Sequence, residues 1–503
     1  MPIRPMRILI SNPDTIGDLV LRQPFYDALL RGGHELMLIV RPSVEALVPY
    51  VAPGAHVVTL PMEVYRNDLP AYWEAFADLF AAARAFEPKA LVVAPYQWTL
   101  FEEKLADELP RSVRRIGMNG HLYRGDPHAG QSPESRLGFD EVVAVDENRP
   151  EVEKNAALAA VVLGAQPAPA MPKLRADAQS VGQAEQTLAR LGLEPGGFWI
   201  AAVAGTRHVA LKQWRPQAWG EVLAHWAGTF GRRFVFTGLP EERPTLEAVR
   251  SAMGERASHA SLVADGNGAG LAQLLALTSL SGGYAGHDTG PMHVAAAMGK
   301  PALAVFGGGT WPRFLPAVEP SCALMVGVPC AGCGWMCAFQ RPYCIDAVPV
   351  ARVKEAVEDL ESGKIIGRDV RIIPADAALQ ERMIRESAER VRQQQRATAD
   401  ANRQLHVVEA VAAERERLLA ERDRLLAERE RLIAEQQRHA REVTELRDGF
   451  ESRILELEAR RAEQVAKIGA EFAQTIETER ASHAQVVEQL TARVTAIEIR
   501  LGP

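Results

Sequence analysis

Residues 286–307 read GHDTGPMHVAAAMGKPALAVFG, and the order of residue types in that stretch decides the fold. An apolar run closes in a turn at Gly286 to Gly290, Pro291 stands at the first helical position, small apolar residues carry a helix to Gly299, and PALAVFG resumes as a second apolar run. Strand, turn, helix and strand in succession form the unit from which parallel sheets are wound. Free backbone N–H groups and the positive end of the helix dipole then fall at Asp288, Thr289 and Gly290, which suits a diphosphate. Asp288 is a poor phosphate ligand but a good acceptor for ribose or sugar hydroxyls. Many such turns bind nothing, and His293, one turn in, reads either as a ligand contact or as a packed, internally bonded histidine.

The same alternation extends in both directions. Before the stretch, FWIAAVAG (198–205), RRFVFTG (232–238), SHASLVA (258–264) and SLSGGY (279–284) read as strands of one α/β unit, which ends in a helix from Val350 to Leu360. Nearer the start, RILI (7–10), LMLIV (36–40), HVVTL (56–60) and ALVVA (90–94) are short and aliphatic enough for buried parallel strands, with helical patterns from Asp18 to Leu30 and Leu69 to Phe86. Pro167, Pro169 and Pro172 mark a stiff linker between the two units. We therefore expect an α/β fold with two Rossmann-like doubly wound domains, residues 1–165 and 166–370, facing each other across a cleft where ligands bind.

A different composition begins near residue 371. From 375 to the end Glu, Arg, Ala, Leu and Gln dominate, and the glycines are only Gly449, Gly469 and Gly502. Val411, Leu418, Leu425 and Leu432 recur every seven residues, as do Leu419, Leu426 and Ile433. Farther on, Ile454, Val465, Ile476 and Val487 recur every eleven. A helical coiled-coil tail over 371–503 that makes the chain a homo-oligomer is the expectation, and a solvated, charge-laced single helix is the bland alternative.

Composition narrows the function classes. A length of 503 residues exceeds one core, and 47% hydrophobic and 24% charged residues with a net charge of −7 give no reason to expect nucleic acid as a partner. The start, MPIRPMRILI, lacks a secretory pattern, and no run reaches the length of a transmembrane segment. These features read as a cytoplasmic protein with membrane contact only peripheral, at the inner face.

SNPDTIGDLVLRQP (11–24) follows the first strand and opens the first helix. Gly17 frees the backbone, and Asp18 at the strand's carboxyl end is placed to act as general base on an acceptor hydroxyl. The bland reading makes Asp14 or Asp18 a helix N-cap. Taken together, ILISNPDTIGDLVLRQP and Asp288 to Pro301 resemble the two signatures of glycosyltransferase family 9, the ADP-heptose:lipopolysaccharide heptosyltransferases, over about residues 6–360 and not over the tail. The resemblance implies a GT-B fold with the acceptor on the first domain and the donor on the second. It implies Asp18 as catalytic base, Lys212 with Thr206 nearby on the donor phosphates, Asp288, Thr289, Gly290, Pro291 and His293 along ribose and diphosphate, and Glu242 near the nucleoside. The reaction implied is inverting transfer of a sugar, heptose from ADP-heptose in this family, to a hydroxyl of a glycan, glycolipid or protein. Lys212 and the helix tip would carry the leaving-group charge, so no catalytic cofactor is expected.

Cys330, Cys333, Cys337 and Cys344 lie within fifteen residues. Four thiolates so close can close a tetrahedral structural Zn or Fe site, and related autotransporter heptosyltransferases carry iron on four cysteines; reduced, partly buried thiols are the other reading. Two rivals to the transferase reading remain at this point. One is a nucleotide-sugar epimerase, which would need no acceptor. The other is a non-catalytic scaffold of GT-B fold organised by the tail.

Overall fold

The computed structural model describes residues 4–123, 138–168, 170–204, 210–263, 270–442 and 451–501. The chain divides into two units, Met1–Gln393 and Gln394–Pro503.

Besides a two-stranded sheet, Gln97–Trp98 beside His121–Leu122, the first unit holds two large parallel sheets. One contains β1 (Arg7–Asn12), β2 (Glu35–Val40), β3 (His56–Thr59), β4 (Ala90–Val93), β5 (Arg114–Met118) and β6 (Glu141–Val143), side by side in the order β3-β2-β1-β4-β5-β6. The other contains β7 (Phe198–Ala202), β8 (Arg233–Thr237), β9 (Ala260–Val263), β10 (Gly283–His287), β11 (Ala302–Val305), β12 (Ser321–Gly327) and β13 (Arg368–Pro374), in the order β9-β8-β7-β10-β11-β12-β13. Strand order reverses between β1 and β4 and again between β7 and β10, so each sheet opens a crevice at the carboxyl ends of those strands. The central strands are buried on both faces: Ile8 and Ile10 pack to one side of the first sheet, Leu9 to the other. This explains their continuous aliphatic runs.

Four helices of the first unit matter for the site or the tail. After β1 come α1 (Ile16–Leu21) and α2 (Gln23–Arg31), with Arg22 at their join where one helix was expected. Next is α3 (Glu151–Leu163), which ends in left-handed Gly164. After β10 comes α4 (Gly290–Ala297), with Pro291 in its first turn. Leu275, Val294 and Ala297 of the second half join the apolar cluster under the first sheet, so the halves share a core.

Four strands of the large sheets, β5, β6, β12 and β13, escaped the reading of the sequence. β12 was not separated from the cysteine segment, and β13 carries three charged residues among its seven because it lies at an exposed sheet edge. The second sheet therefore runs to Pro374, past the boundary expected at 370, and the long helix α5 (Ala377–Glu442) starts beyond it. The first turns of α5 belong to this unit: Met383 is buried in the core, Tyr343 Oη donates to Glu386, and Arg390 donates to Cys337 O at 3.0 Å.

The second unit is helical, comprising the rest of α5 and α6 (Glu451–Leu501). Residues 414–434 repeat one seven-residue phrase three times, as ERERLLA, ERDRLLA and ERERLIA. The leucines that recur in it are exposed, Leu418 at 45% and Leu425 at 60%. Ile454 and Val487 of the eleven-residue row lie where side chains are outside the described residues. No helix among the described residues is long and apolar enough to cross a membrane.

Candidate functional site

The site is assembled where α1 and α4 meet. Each follows the inner strand of its sheet, and their first turns touch. A Cβ on Gly17 would lie 2.7 Å from His293 Cδ2, and one on Gly290 would lie 2.7 Å from Ile16 Cβ. These two positions tolerate no side chain because the helices approach backbone to side chain. Asp18, next to Gly17, and Thr289, next to Gly290, are thereby each one residue from a contact between the two helices.

On the first side, Thr15 is the N-cap of α1 and Asp18 its reciprocal partner: Asp18 Oδ2 accepts from Thr15 N at 3.2 Å and Thr15 Oγ1 at 3.0 Å. Neither aspartate is itself the N-cap; Asp18 combines a capping bond with its place in the crevice. Asp14 is held by Tyr65 Oη and by Arg22 Nη1 at 2.7 Å. Arg22 is buried, donates to Asn12 and to Ala94 O, and so ties the ends of β1 and β4 to this turn. Burial raises the pKa of Asp18, the negative charges of Asp14 and Glu151 raise it further, and Arg22 and the Thr15 hydroxyl pull against them; it remains above the ordinary aspartate value. A carboxylate so placed is a stronger base than a solvated one.

On the second side, Lys212 Nζ donates to Asp288 O at 3.1 Å and Oδ2 at 3.3 Å. Thr310 Oγ1 donates to the same Oδ2 at 3.4 Å, and His293 Nε2 stands 3.7 Å from Oδ1. Burial pushes the Asp288 carboxyl up, but Lys212 and His293 outweigh it and hold the group below its usual range. Asp288 thus stays ionised and internally bonded, an organiser of the turn rather than an open acceptor. Thr289 caps α4, its hydroxyl shared with Tyr284 and His287 O. His287 Nε2 accepts from Trp214 N at 2.9 Å and Trp219 Nε1 at 2.7 Å, and burial lowers its pKa to about 3, so this imidazole is a neutral brace beneath Lys212.

Six expected residues remain, Glu242, Thr206 and the four cysteines. Glu242 Oε2 accepts from Leu239 N at 2.7 Å and fixes the turn after β8. Thr206 lies outside the described residues. Cys330, Cys333, Cys337 and Cys344 line one cavity with Gly308 and Trp335, which gathers them as expected. Among the described residues, no group of three or more His, Cys, Asp or Glu side chains is arranged to hold a metal ion. Burial raises the pKa of Cys330 and Cys337 and pushes that of Cys344 up to about 11.

Sequence reasoning missed Arg22, Tyr65 and a pair that joins the two halves. Arg313, after β11, donates to Glu151 Oε1 at 2.8 Å, and Lys154 Nζ donates to the same oxygen at 2.8 Å. Glu151 N donates to Arg313 O at 3.1 Å. No local pattern signals this contact, which spans 162 positions.

Residues 122–333 match the model of glycosyltransferase family 9 (heptosyltransferase). Over these residues the chain is similar to glycosyltransferase family 9. The match takes in Lys212, the Asp288–His293 turn and the first two cysteines of the cluster. Similar solved structures include the Escherichia coli ADP-heptose LPS heptosyltransferase II, 17% identical with a TM-score of 0.53 over 71% of this chain and 99% of that one. Another is a family 9 glycosyl transferase from Veillonella parvula, 18% identical with a TM-score of 0.50 over 64% and 86%. No curated protein matches the sequence. Family and fold together support a glycosyltransferase of two facing α/β domains followed by a long helical extension.

Proposed function

We propose that the chain moves a sugar from a nucleotide donor to an acceptor hydroxyl with inversion, and that the donor is ADP-heptose, the sugar nucleotide named for the similar Escherichia coli enzyme. The observation that supports this reading is the contact of α1, which carries Asp18, with α4, whose first turn follows Asp288 and its partner Lys212. Asp18 takes the proton of the acceptor hydroxyl as its oxygen attacks the anomeric carbon, and the diphosphate departs on the far side. Negative charge grows on that diphosphate, where the Lys212 ammonium and the N–H groups at the tip of α4 stabilise it. Gly17 and Gly290 allow the first turns of α1 and α4 to close without a gap, which keeps water from the donor. The acceptor is a glycan, glycolipid or protein hydroxyl held on the first domain.

Donor and acceptor screens with mass detection of product, run on the wild type and on Asp18→Ala, test this. Transfer by the wild type and its loss in the variant are expected; undiminished transfer by Asp18→Ala would reject the base, and sugar-nucleotide conversion without any acceptor would favour an epimerase.

The tail is proposed to join copies of the chain. Strict seven-residue rows stay in line only when helices supercoil around one another, and the exposed leucines of 414–434 lie in such rows. Sedimentation of the full chain and of a chain ending at Gln393, which keeps β13 and the docked turns of α5, should give different masses. Equal masses would remove this proposal.

A further inference from the structure

The loop that carries the thiols presents an aromatic ring to the Lys212 side of the site. Gly332 N donates to Gly308 O at 2.7 Å and Gly334 N to Gly309 O at 2.9 Å, so the loop is laid along the segment after β11. Gly332 and Gly334 take φ of +89° and +60°, and Trp335, which has a side chain, takes +68°. A tryptophan there is strained, and such strain persists where the surroundings over-determine it. A Cβ on Gly309 would lie 2.2 Å from Trp335 Cδ2 and one on Gly307 2.8 Å from Cζ3, so these glycines leave the space that the indole fills. Lys212 Nζ lies 4.6 Å from the ring centroid. The ring is half-buried, and Thr310, next to Gly309, bonds Asp288.

We propose that Trp335 is a donor-positioning residue, holding the Lys212 ammonium over Asp288 until the diphosphate of the sugar nucleotide takes it; this rests on the donor-site reading above. Lys212 has three N–H donors and no acceptor. Asp288 receives hydrogen bonds on two oxygens, and the π face of Trp335 attracts the same charge. When a diphosphate arrives, the ring contact is the weakest of the three and is the one exchanged, so the ammonium turns towards the ligand while its stem stays in place. A lysine without the ring would first have to give up its rotamer freedom, and preorganisation removes that cost from binding. The thiol loop acts here as the support that brings the ring to the lysine.

The test is calorimetric titration of ADP into full-length wild type, Trp335→Leu, Trp335→Phe, Lys212→Ala and the Trp335→Leu/Lys212→Ala double variant. Alongside it, reductive methylation of Lys212 is followed by mass spectrometry without nucleotide. Trp335→Leu keeps apolar bulk and removes the π face; it should weaken ADP about tenfold, within the span of a cation–π contact. Trp335→Phe should stay within about threefold. The double variant should bind no more weakly than Lys212→Ala, because the ring acts only through the ammonium. Methylation of Lys212 should speed up in Trp335→Leu and not in Trp335→Phe. ADP binding by Trp335→Leu within about twofold of wild type, or full additivity in the double variant, overturns the proposal. Unchanged methylation overturns the ring–ammonium contact itself, whereas methylation that responds while the wild type binds no ADP overturns the donor-site reading and leaves that contact standing.

Discussion

The turn after β1 and the turn after β10 each leave one of the two strands that flank the reversal of strand order in their own sheet, and the chain treats the acid in each in opposite ways. Burial raises the pKa of Asp18, and the carboxylates of Asp14 and Glu151 beside it raise it further. Asp288 is set beside Lys212 and His293, and its pKa falls although it is the more deeply buried of the two. Topology alone therefore gives a position, and neighbouring charge gives the role: one acid is primed to take a proton, the other is fixed as an anion that holds a cation in the crevice.

Removing the primed acid should have the largest effect. Asp18→Asn keeps the shape and loses the base, and transfer should fall by about 10²–10⁴-fold, the span of general-base contributions. ADP affinity, set on the other half, should change little, and a kcat assay beside calorimetry reads both. Equal losses in kcat and affinity would break the division of roles. Next comes Lys212→Ala, expected to cost about 10²–10³-fold in kcat, as for loss of one donor to a developing anion. Here ADP affinity should fall as well, and Lys212→Arg should recover part of both because charge is retained.

Titration sharpens the contrast. The acidic limb of the kcat/KM profile should lie above the ordinary aspartate range, and Asp14→Asn should move it to lower pH, since removing a neighbouring negative charge favours ionised Asp18. An unmoved limb would show that the limb belongs to another group. The stability effects have opposite signs. Asp288, with its pKa lowered in the fold, contributes stability that is present above the ordinary carboxylate pKa and is lost as pH falls through the folded value. Asp18, with its pKa raised, favours the fold when protonated, and that contribution is lost as pH rises through its folded value. At pH 7, Asp18→Asn should thus raise the melting temperature by about 1–3 °C and Asp288→Asn should lower it, as read by calorimetry.

The two turns also differ in how much of them could be read in advance. Short aliphatic runs such as RILI and ALVVA announced β1 and β4, because strands buried on both faces need apolar side chains at every position. β13 stayed hidden because an edge strand admits charge. At the site, Asp18 and the Asp288 turn are legible because glycine, proline and acid stand in fixed order within a few residues, whereas Lys212 was named only through the family resemblance. The groups that tune them come from afar. Tyr65 reaches Asp14 from 51 positions away, and Trp335 faces Lys212 across more than a hundred residues; nothing periodic links such positions. The thiol cluster was legible as a cluster, but its spacing did not reveal that the loop would be pinned to Gly308 and Gly309 and carry an indole to the lysine.

The smallest expected effect examines whether the two turns work as a pair at all. Gly17 and Gly290 lie on opposite sides of the contact, and an alanine at either would have to move its neighbour. At Gly17 the obstacle is the edge of the His293 ring, 2.7 Å from the new Cβ; at Gly290 it is the branched Cβ of Ile16, also at 2.7 Å. His293 can turn about its χ angles, although its imidazole packs against Phe314 at 5.9 Å between centroids. Ile16 has its Cβ fixed to the first residue of α1 and can yield only if the helix moves. Both substitutions should cost stability within the about 1–3 kcal/mol usual for overpacking, with Gly290→Ala the larger. If α1 and α4 cooperate in catalysis, Gly290→Ala should also lower kcat more than it lowers ADP affinity, because it displaces the helix that bears Asp18 and leaves Lys212 and Asp288 where they are. An alanine at Gly290 that weakens ADP binding and spares kcat would mean that the donor turn acts without regard to the base.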